Sequence, residues 1–279
     1  MKNRLNTSLL SRLAAFTLAE GATHVAHWNN SRKIAFTLAE VLITLGIIGI
    51  VAAMTMPSLI QNTKEKEVIS KLKKFQSLMS QAFLMSVNEN GTPDNWGLDA
   101  NFNIQTPVLS DKFIPYLKVT KDCGLIGKCF YNKDIYFLNN LKWTNLYNPT
   151  GWGQMTLELA DGSLVAMNVI SSDCSSVRGT SKNLQNVCAF LYIDVNGGVN
   201  PNIFGKDFFS FYVTKYGVIP TGLPEEFDTN HSFAKNCIGE NANGMGCTAW
   251  VIYNENMDYL HCKDLSWDGK HSCKEKSSK

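Results

Sequence analysis

Between Val41 and Ile60 the chain passes through twenty residues without a charge, from Val41-Leu-Ile-Thr-Leu to Met56-Pro-Ser-Leu-Ile60. At 1.5 Å of rise per residue such a run covers about 30 Å, the hydrocarbon thickness of a bilayer. A purely cytosolic protein is therefore not expected. The leader before it, residues 1–35, carries Lys2, Arg4, Arg12, Arg32 and Lys33 against Glu20 alone, an excess of positive charge that is expected to keep an N-terminus in the cytoplasm and send the chain beyond Ile60 across the membrane. An ordinary secretory signal has a shorter apolar core followed by a small-residue cleavage site. Here the run continues into a helical pattern, so the segment is expected to remain as an anchor.

All eight cysteines, Cys123, Cys129, Cys174, Cys188, Cys237, Cys247, Cys262 and Cys273, lie beyond that run. Their even number and the lack of any CxxC pair argue for disulfides in an oxidising compartment and against a zinc ribbon or a thioredoxin-type site. Of the possible connectivities, the spacing suggests sequential local pairs: 123 with 129, 174 with 188, 237 with 247, 262 with 273. With 44% hydrophobic and 18% charged residues the chain is not disordered, and a net charge of +2 gives no reason to expect nucleic acid as a partner.

Glu40 opens the apolar run, in Ala35-Phe-Thr-Leu-Ala-Glu40-Val41. A carboxylate at the hydrocarbon edge needs a partner, and none is evident within its own apolar segment. Here the chain resembles the type IV prepilins, the class of pilins and type II secretion pseudopilins. The resemblance implies a basic leader ending at Ala35, cleavage by a prepilin peptidase before Phe36, N-methylation of the new amine, and Glu40 as the fifth mature residue, paired with the terminal amine of a neighbouring subunit. Pro57 falls where that family commonly has a helix-kinking proline. Ala35 stands where the family usually has glycine. The hexapeptide Ala15–Glu20 duplicates Ala35–Glu40, but the residues after it are too short and polar to span a bilayer; it reads as a relic or an extended leader. His24 and His27, with no acid or cysteine nearby, make no metal site.

Beyond Gln61 the apolar residues Val68, Ile69, Leu72, Phe75, Leu78, Met79, Ala82 and Phe83 recur at spacings of three and four, which predicts an amphipathic continuation of one helix from about Phe36 to about Val87, ended by Asn88-Glu-Asn-Gly91-Thr-Pro93. Residues 90–150 show no sustained period and read as a long connection. Met155–Leu159 and Ser163–Val169 around Asp161-Gly162 predict a hairpin; Val187–Val195, Phe208–Val213 and Gly217–Ile219 predict further strands. The expected fold is α+β: a long N-terminal helix, membrane-spanning in its first half, on a small antiparallel sheet, with a loop-rich disulfide-bearing C-terminal region. The expected organisation is a leader 1–35 that is removed, a membrane and assembly segment 36–60, an amphipathic segment 61–88 and an exported head 89–279.

A search for catalytic motifs finds none. His231, His261 and His271 and the pair Glu225-Glu226 are expected on the solvated surface. The oxygen-rich loop Asp194 to Asp207 is the one ligand candidate: Asp194, Asn196 and Asp207 could serve calcium, which takes six to eight oxygens, although the loop fails the EF-hand template and a turn-forming loop accounts for the same residues. The expected function is a non-enzymatic filament subunit, pilus or pseudopilus, lodged in the bacterial inner membrane with a cytoplasmic N-terminus and then in a periplasmic or extracellular filament. Its expected partners are the prepilin peptidase, other subunits, the assembly machinery and the membrane. A rival is a tip or surface binding protein whose tail aromatics Trp250, Tyr253, Tyr259 and Trp267 recognise a ligand; a membrane-anchored exoenzyme is a weaker one.

Overall fold

The computed structural model describes residues 37–100, 107–124, 128–130, 133–143, 155–269 and 273. The expected leader, the repeated hexapeptide in it, His24, His27, His271 and the expected junction Ala35–Phe36 lie outside the described residues. The chain forms two compact units, one up to Ala53 and one from Met54 onward.

In the first unit the described residues are the opening turns of helix α1, Leu38–Asn90. Every side chain there but that of Ala52 is exposed, including Leu42, Ile43, Ile47, Ile48 and Ile50, and none of the described residues of that unit covers them. Such a surface is unfavourable in water and natural in lipid or against other helices.

In the second unit α1 continues with one apolar stripe. Ile69, Leu72, Phe75, Met79, Ala82 and Phe83 are buried, on the helical spacing that the sequence shows. The helix ends where Gly91 takes a left-handed conformation (φ +75°) and its N–H donates to the Val87 carbonyl at 2.9 Å, with Pro93 preventing continuation. The end at Asn90 lies a turn beyond the expected one.

The stripe packs on a six-stranded antiparallel sheet of β1 (Val119–Gly124), β4 (Met155–Leu159), β5 (Leu164–Val169), β6 (Val187–Asp194), β7 (Phe208–Thr214) and β8 (Gly217–Pro220), in that spatial order. A separate two-stranded piece pairs β2 (Ile135–Tyr136) with β3 (Lys142–Trp143). The predicted hairpin is β4–β5, with Glu158 opposite Leu164 and Gly162 at φ +82° in the turn. β1 is not evident from the sequence: it is largely exposed, broken by two register shifts, and pairs with β4 across a long connection.

β6 and β7 are buried along their whole lengths, which is why both read as continuous apolar runs. Their alternate side chains enter two cores. Ala189, Leu191, Ile193, Phe209, Phe211 and Val213 meet the helix, where Phe75 lies edge-on to Phe211 at 5.5 Å. Phe190, Tyr192, Phe208 and Tyr212 meet Phe130, Ile135, Trp143 and Phe204 on the opposite face. The register shift between Val187 and Ala189 sends Val187 to the second core and both Cys188 and Ala189 to the first.

The tail folds back onto the first core through α3 (Phe233–Asn236), α4 (Thr248–Asn254) and a 3-10 turn at Asp258–Leu260. Trp250 and Tyr259 are fully buried, Phe233 stacks on Trp250 at 4.7 Å, and Trp267 closes on both. This corrects the reading of the tail aromatics as a recognition surface: of the four, only Tyr253 is largely exposed. Close approach also fixes Gly222, at φ +88°, where a Cβ would lie 1.9 Å from the carbonyl oxygen of Gly246. The disulfides join Cys123 to Cys129, Cys174 to Cys188, Cys237 to Cys247 and Cys262 to Cys273.

Candidate functional site

The head of α1 carries a reciprocal cap. Thr37 donates its N–H and its hydroxyl to Glu40 Oε2, each at 2.8 Å, and the Glu40 N–H donates back to Thr37 Oγ1 at 3.2 Å. This is the capping box, in which Thr-x-x-Glu satisfies donors that a helix N-terminus leaves open. The expectation that Glu40 has no partner in its own segment is thereby corrected. Sequence reasoning missed it although the signal, a Thr three residues before a Glu, was present. Two donors on Oε2 leave Oε1 as the oxygen able to accept from another chain. Phe36, whose amine the resemblance offers as that donor, lies outside the described residues.

Pro57 sits inside α1, where its ring removes one helical N–H. Along the same helix the hydroxyls of Thr44, Ser58 and Thr63 bond back to the carbonyls of Val41, Thr55 and Leu59 at 2.8–3.0 Å, as polar side chains do in a helix surrounded by apolar medium.

The loop from Asp194 to Asp207 links β6 to β7. The first strand ends at Asp194 and the second begins just after Asp207, which brings both carboxylates to one place and buries them. Asp207 accepts from the Ile203 N–H at 2.6 Å, the Asn202 N–H at 2.9 Å and Asn196 Nδ2 at 2.8 Å. Asp194 accepts from the Asn196 N–H at 3.1 Å. Gly197 (φ +75°) lets the loop abut the β4–β5 turn, since a Cβ would meet the Gly162 oxygen at 2.3 Å. Burial, and then the charge of Asp207, push the Asp194 carboxyl up to about 7; burial likewise raises Asp207, against its three donors.

The three residues do converge, and one further atom points the same way: Asn196 Oδ1 is buried with no hydrogen-bond partner among the described residues. Against a cation stands the engagement of Asp207 by the chain's own N–H groups. Among the described residues no group of three or more His, Cys, Asp and Glu is placed to hold a metal. The three candidate side chains offer two carboxylates and one amide oxygen.

A second polar cluster lies under the 221–232 segment, on the sheet face away from α1. Asp228 pairs with Arg178 and with His231, whose Nδ1 lies 2.9 Å from Oδ1. The His231 ring stacks on Phe190 at 4.8 Å with Arg178 over the same ring. Beside them Tyr212 donates its hydroxyl to Glu226 Oε1, and the Gly222 N–H donates to Oε2 at 2.6 Å. Burial pushes Glu226 up to about 8 and lowers His231, while the His231 and Arg178 partners hold Asp228 well below the usual carboxylate range despite its burial. Surface placement of His231 and Glu226 is thus corrected: both are buried, and Glu225 alone of the acidic pair is exposed. His231 Nε2 is buried with no hydrogen-bond partner among the described residues. The cluster fastens a loop over the sheet. No apolar period in the sequence could have announced it.

Residues 30–56 match the prokaryotic N-terminal methylation motif, so the chain carries a prepilin-type N-terminus on a pilin-like architecture. No curated protein and no solved structure matches it. Residues 58–219 match a second family, from the helix just past Pro57 to the last strand, ahead of the tail that bears α3 and α4. As that match takes in more than half of its 279 residues, the chain belongs to the family of unknown function DUF6613, here joined to a prepilin-type methylation motif.

Proposed function

We propose that this chain is a non-enzymatic structural subunit of a type IV filament, a pilus or a type II secretion pseudopilus, cut by a prepilin peptidase between Ala35 and Phe36 and assembled through α1. The observation that carries the reading is the division of one helix: apolar and, Ala52 apart, exposed from Val41 to Ile60, apolar on a single buried stripe from Ile69 to Phe83. α1 is long and apolar enough to cross a membrane, and the methylation motif lies over its start. In this reading residues 1–35 are a leader, 36–60 the membrane and assembly segment, 61–88 the packed segment and 89–279 the exported head. Before assembly lipid covers the apolar half. In the filament neighbouring helices cover it, gaining packing rather than release of water.

Glu40 then has two tasks. Its Oε2 caps its own helix through Thr37, and its Oε1 accepts from the methylated amine of Phe36 on a neighbour, which sets the axial register between subunits. At the loop, calcium is the proposed ligand, held by Asp194, Asn196 Oδ1 and Asp207 in competition with the Asp194 proton. The alternative of a ligand-binding tip protein loses its main support with the burial of Trp250 and Tyr259.

The test is mass spectrometry of the membrane-extracted protein together with immunoblotting of sheared filaments. A methylated N-terminus at Phe36 and recovery of the chain in the filament fraction are expected. An intact N-terminus at Met1 in a host with an active prepilin peptidase would refute the reading.

A further inference from the structure

A groove of about 660 Å³ opens between the start of the packed half of α1, the loop after β6 and the turn at residues 257–263. Its lining includes the apolar Val68, Val195, Met257 and Leu260 and the cationic Lys64, Lys206 and Lys263. The acids around it are already engaged. Glu67 holds Lys71 at 2.9 Å, Glu65 holds His261 at 2.9 Å, and Asp207 takes the three N–H donors described above. Among the described residues neither Lys206 nor Lys263 forms an ion pair within 4.0 Å. Among the described residues Lys263 Nζ hydrogen-bonds only the Cys237 carbonyl, at 3.4 Å, and partial burial lowers its pKa, the mark of a cation without a counter-charge.

Position along the helix says which counter-charge is near. The groove begins at Gln61, the residue after the apolar run ends. At about 1.5 Å per residue Lys64 stands about 6 Å beyond Ile60. The headgroup layer on each side of a bilayer is about 5–8 Å deep, and an anionic surface is felt over a further Debye length of about 8 Å. We propose that this groove seats the headgroups of anionic phospholipids from the membrane that the chain's own helix enters, Lys64, Lys206 and Lys263 holding the phosphate. The proposal rests on the membrane-anchored reading above. A lipid seated there holds the subunit's head at the bilayer until the helix is withdrawn.

The experiment is amide hydrogen exchange on the full chain in nanodiscs of phosphatidylcholine, with and without phosphatidylglycerol. Slower exchange over residues 61–71 and 257–263 is expected only with phosphatidylglycerol. The double variant Lys206→Glu, Lys263→Glu should abolish the difference, and each single Lys→Gln variant should weaken it by about fivefold, the usual effect of one cation at an anionic surface. Lys121→Glu on β1, outside the groove, serves as the charge control and should leave it intact. Equal exchange with and without the anionic lipid would overturn the proposal. So would protection by millimolar inorganic phosphate in phosphatidylcholine discs equal to that given by the lipid, since the site would then take free phosphate. Carbonate extraction of the same chain from vesicles separates the two readings: release by carbonate refutes the membrane anchor itself, whereas retention with no lipid dependence refutes only the groove.

Discussion

Replacing Asp194 by Asn should make the folded head more stable at neutral pH. The carboxyl is fully buried beside a second buried carboxyl, and its pKa stands at about 7 against an ordinary 3.8. Between these values the folded state holds a proton that the unfolded state has released. Stability therefore falls as pH rises across the window: the group's contribution is complete below about pH 4 and is lost by the time pH passes 7. At 1.36 kcal/mol per pKa unit the ionised carboxylate costs on the order of 4 kcal/mol, a large share of the 5–15 kcal/mol typical of a domain. For a head of this size that is a fall in Tm of about 10 °C between pH 4 and pH 8. Glu226, raised to about 8, acts with the same sign over a window shifted slightly upward. In the absence of calcium, thermal melts of the detergent-solubilised chain from pH 4 to 8 should show Asp194→Asn flattening the lower part of the slope and Glu226→Gln the upper part. Calcium added at pH 8 should stabilise the parent and leave Asp194→Asn unmoved, with the effect fading toward pH 6 as the proton wins. Parallel pH profiles for the parent and Asp194→Asn would refute the assignment of the raised carboxyl. A parent unmoved by calcium at pH 8 returns the loop to a purely structural turn.

Three further outcomes are expected. Phe75→Ala, which empties the contact with Phe211 in the first core, should cost about 3–5 kcal/mol in denaturant unfolding while leaving cleavage before Phe36 intact. Thr37→Ala removes the hydroxyl half of the cap, at a cost of about 1 kcal/mol of helix stability, and should lower filament incorporation less than Glu40→Ala does; equal incorporation of Glu40→Ala and the parent in sheared fractions would mean that the carboxylate has no assembly role. Non-reducing peptide mapping should return the four sequential disulfides with few or no alkylated thiols, and extensive alkylation would place the head in a reducing compartment.

Features that depend on neighbours within a turn or two are legible along the chain. An unbroken apolar run states its own medium. The stripe from Ile69 to Phe83 states its own buried face, and the Asp161-Gly162 turn sets the register of the hairpin around it. Sequential cysteine pairs belong here as well, because short loops close at low entropic cost. The loop at Asp194 was legible because its acids end one strand and precede the next. Long-range packing sets the rest. Trp250 and Tyr259 look like surface aromatics until the tail folds onto the first core, and His231 and Glu226 look solvated until residues 221–232 close over the second face of the sheet. β1 acquires its place only by pairing with β4 across a long connection. Burial at these positions is conferred by residues distant in the chain, and a local pattern records only which residues are neighbours along it.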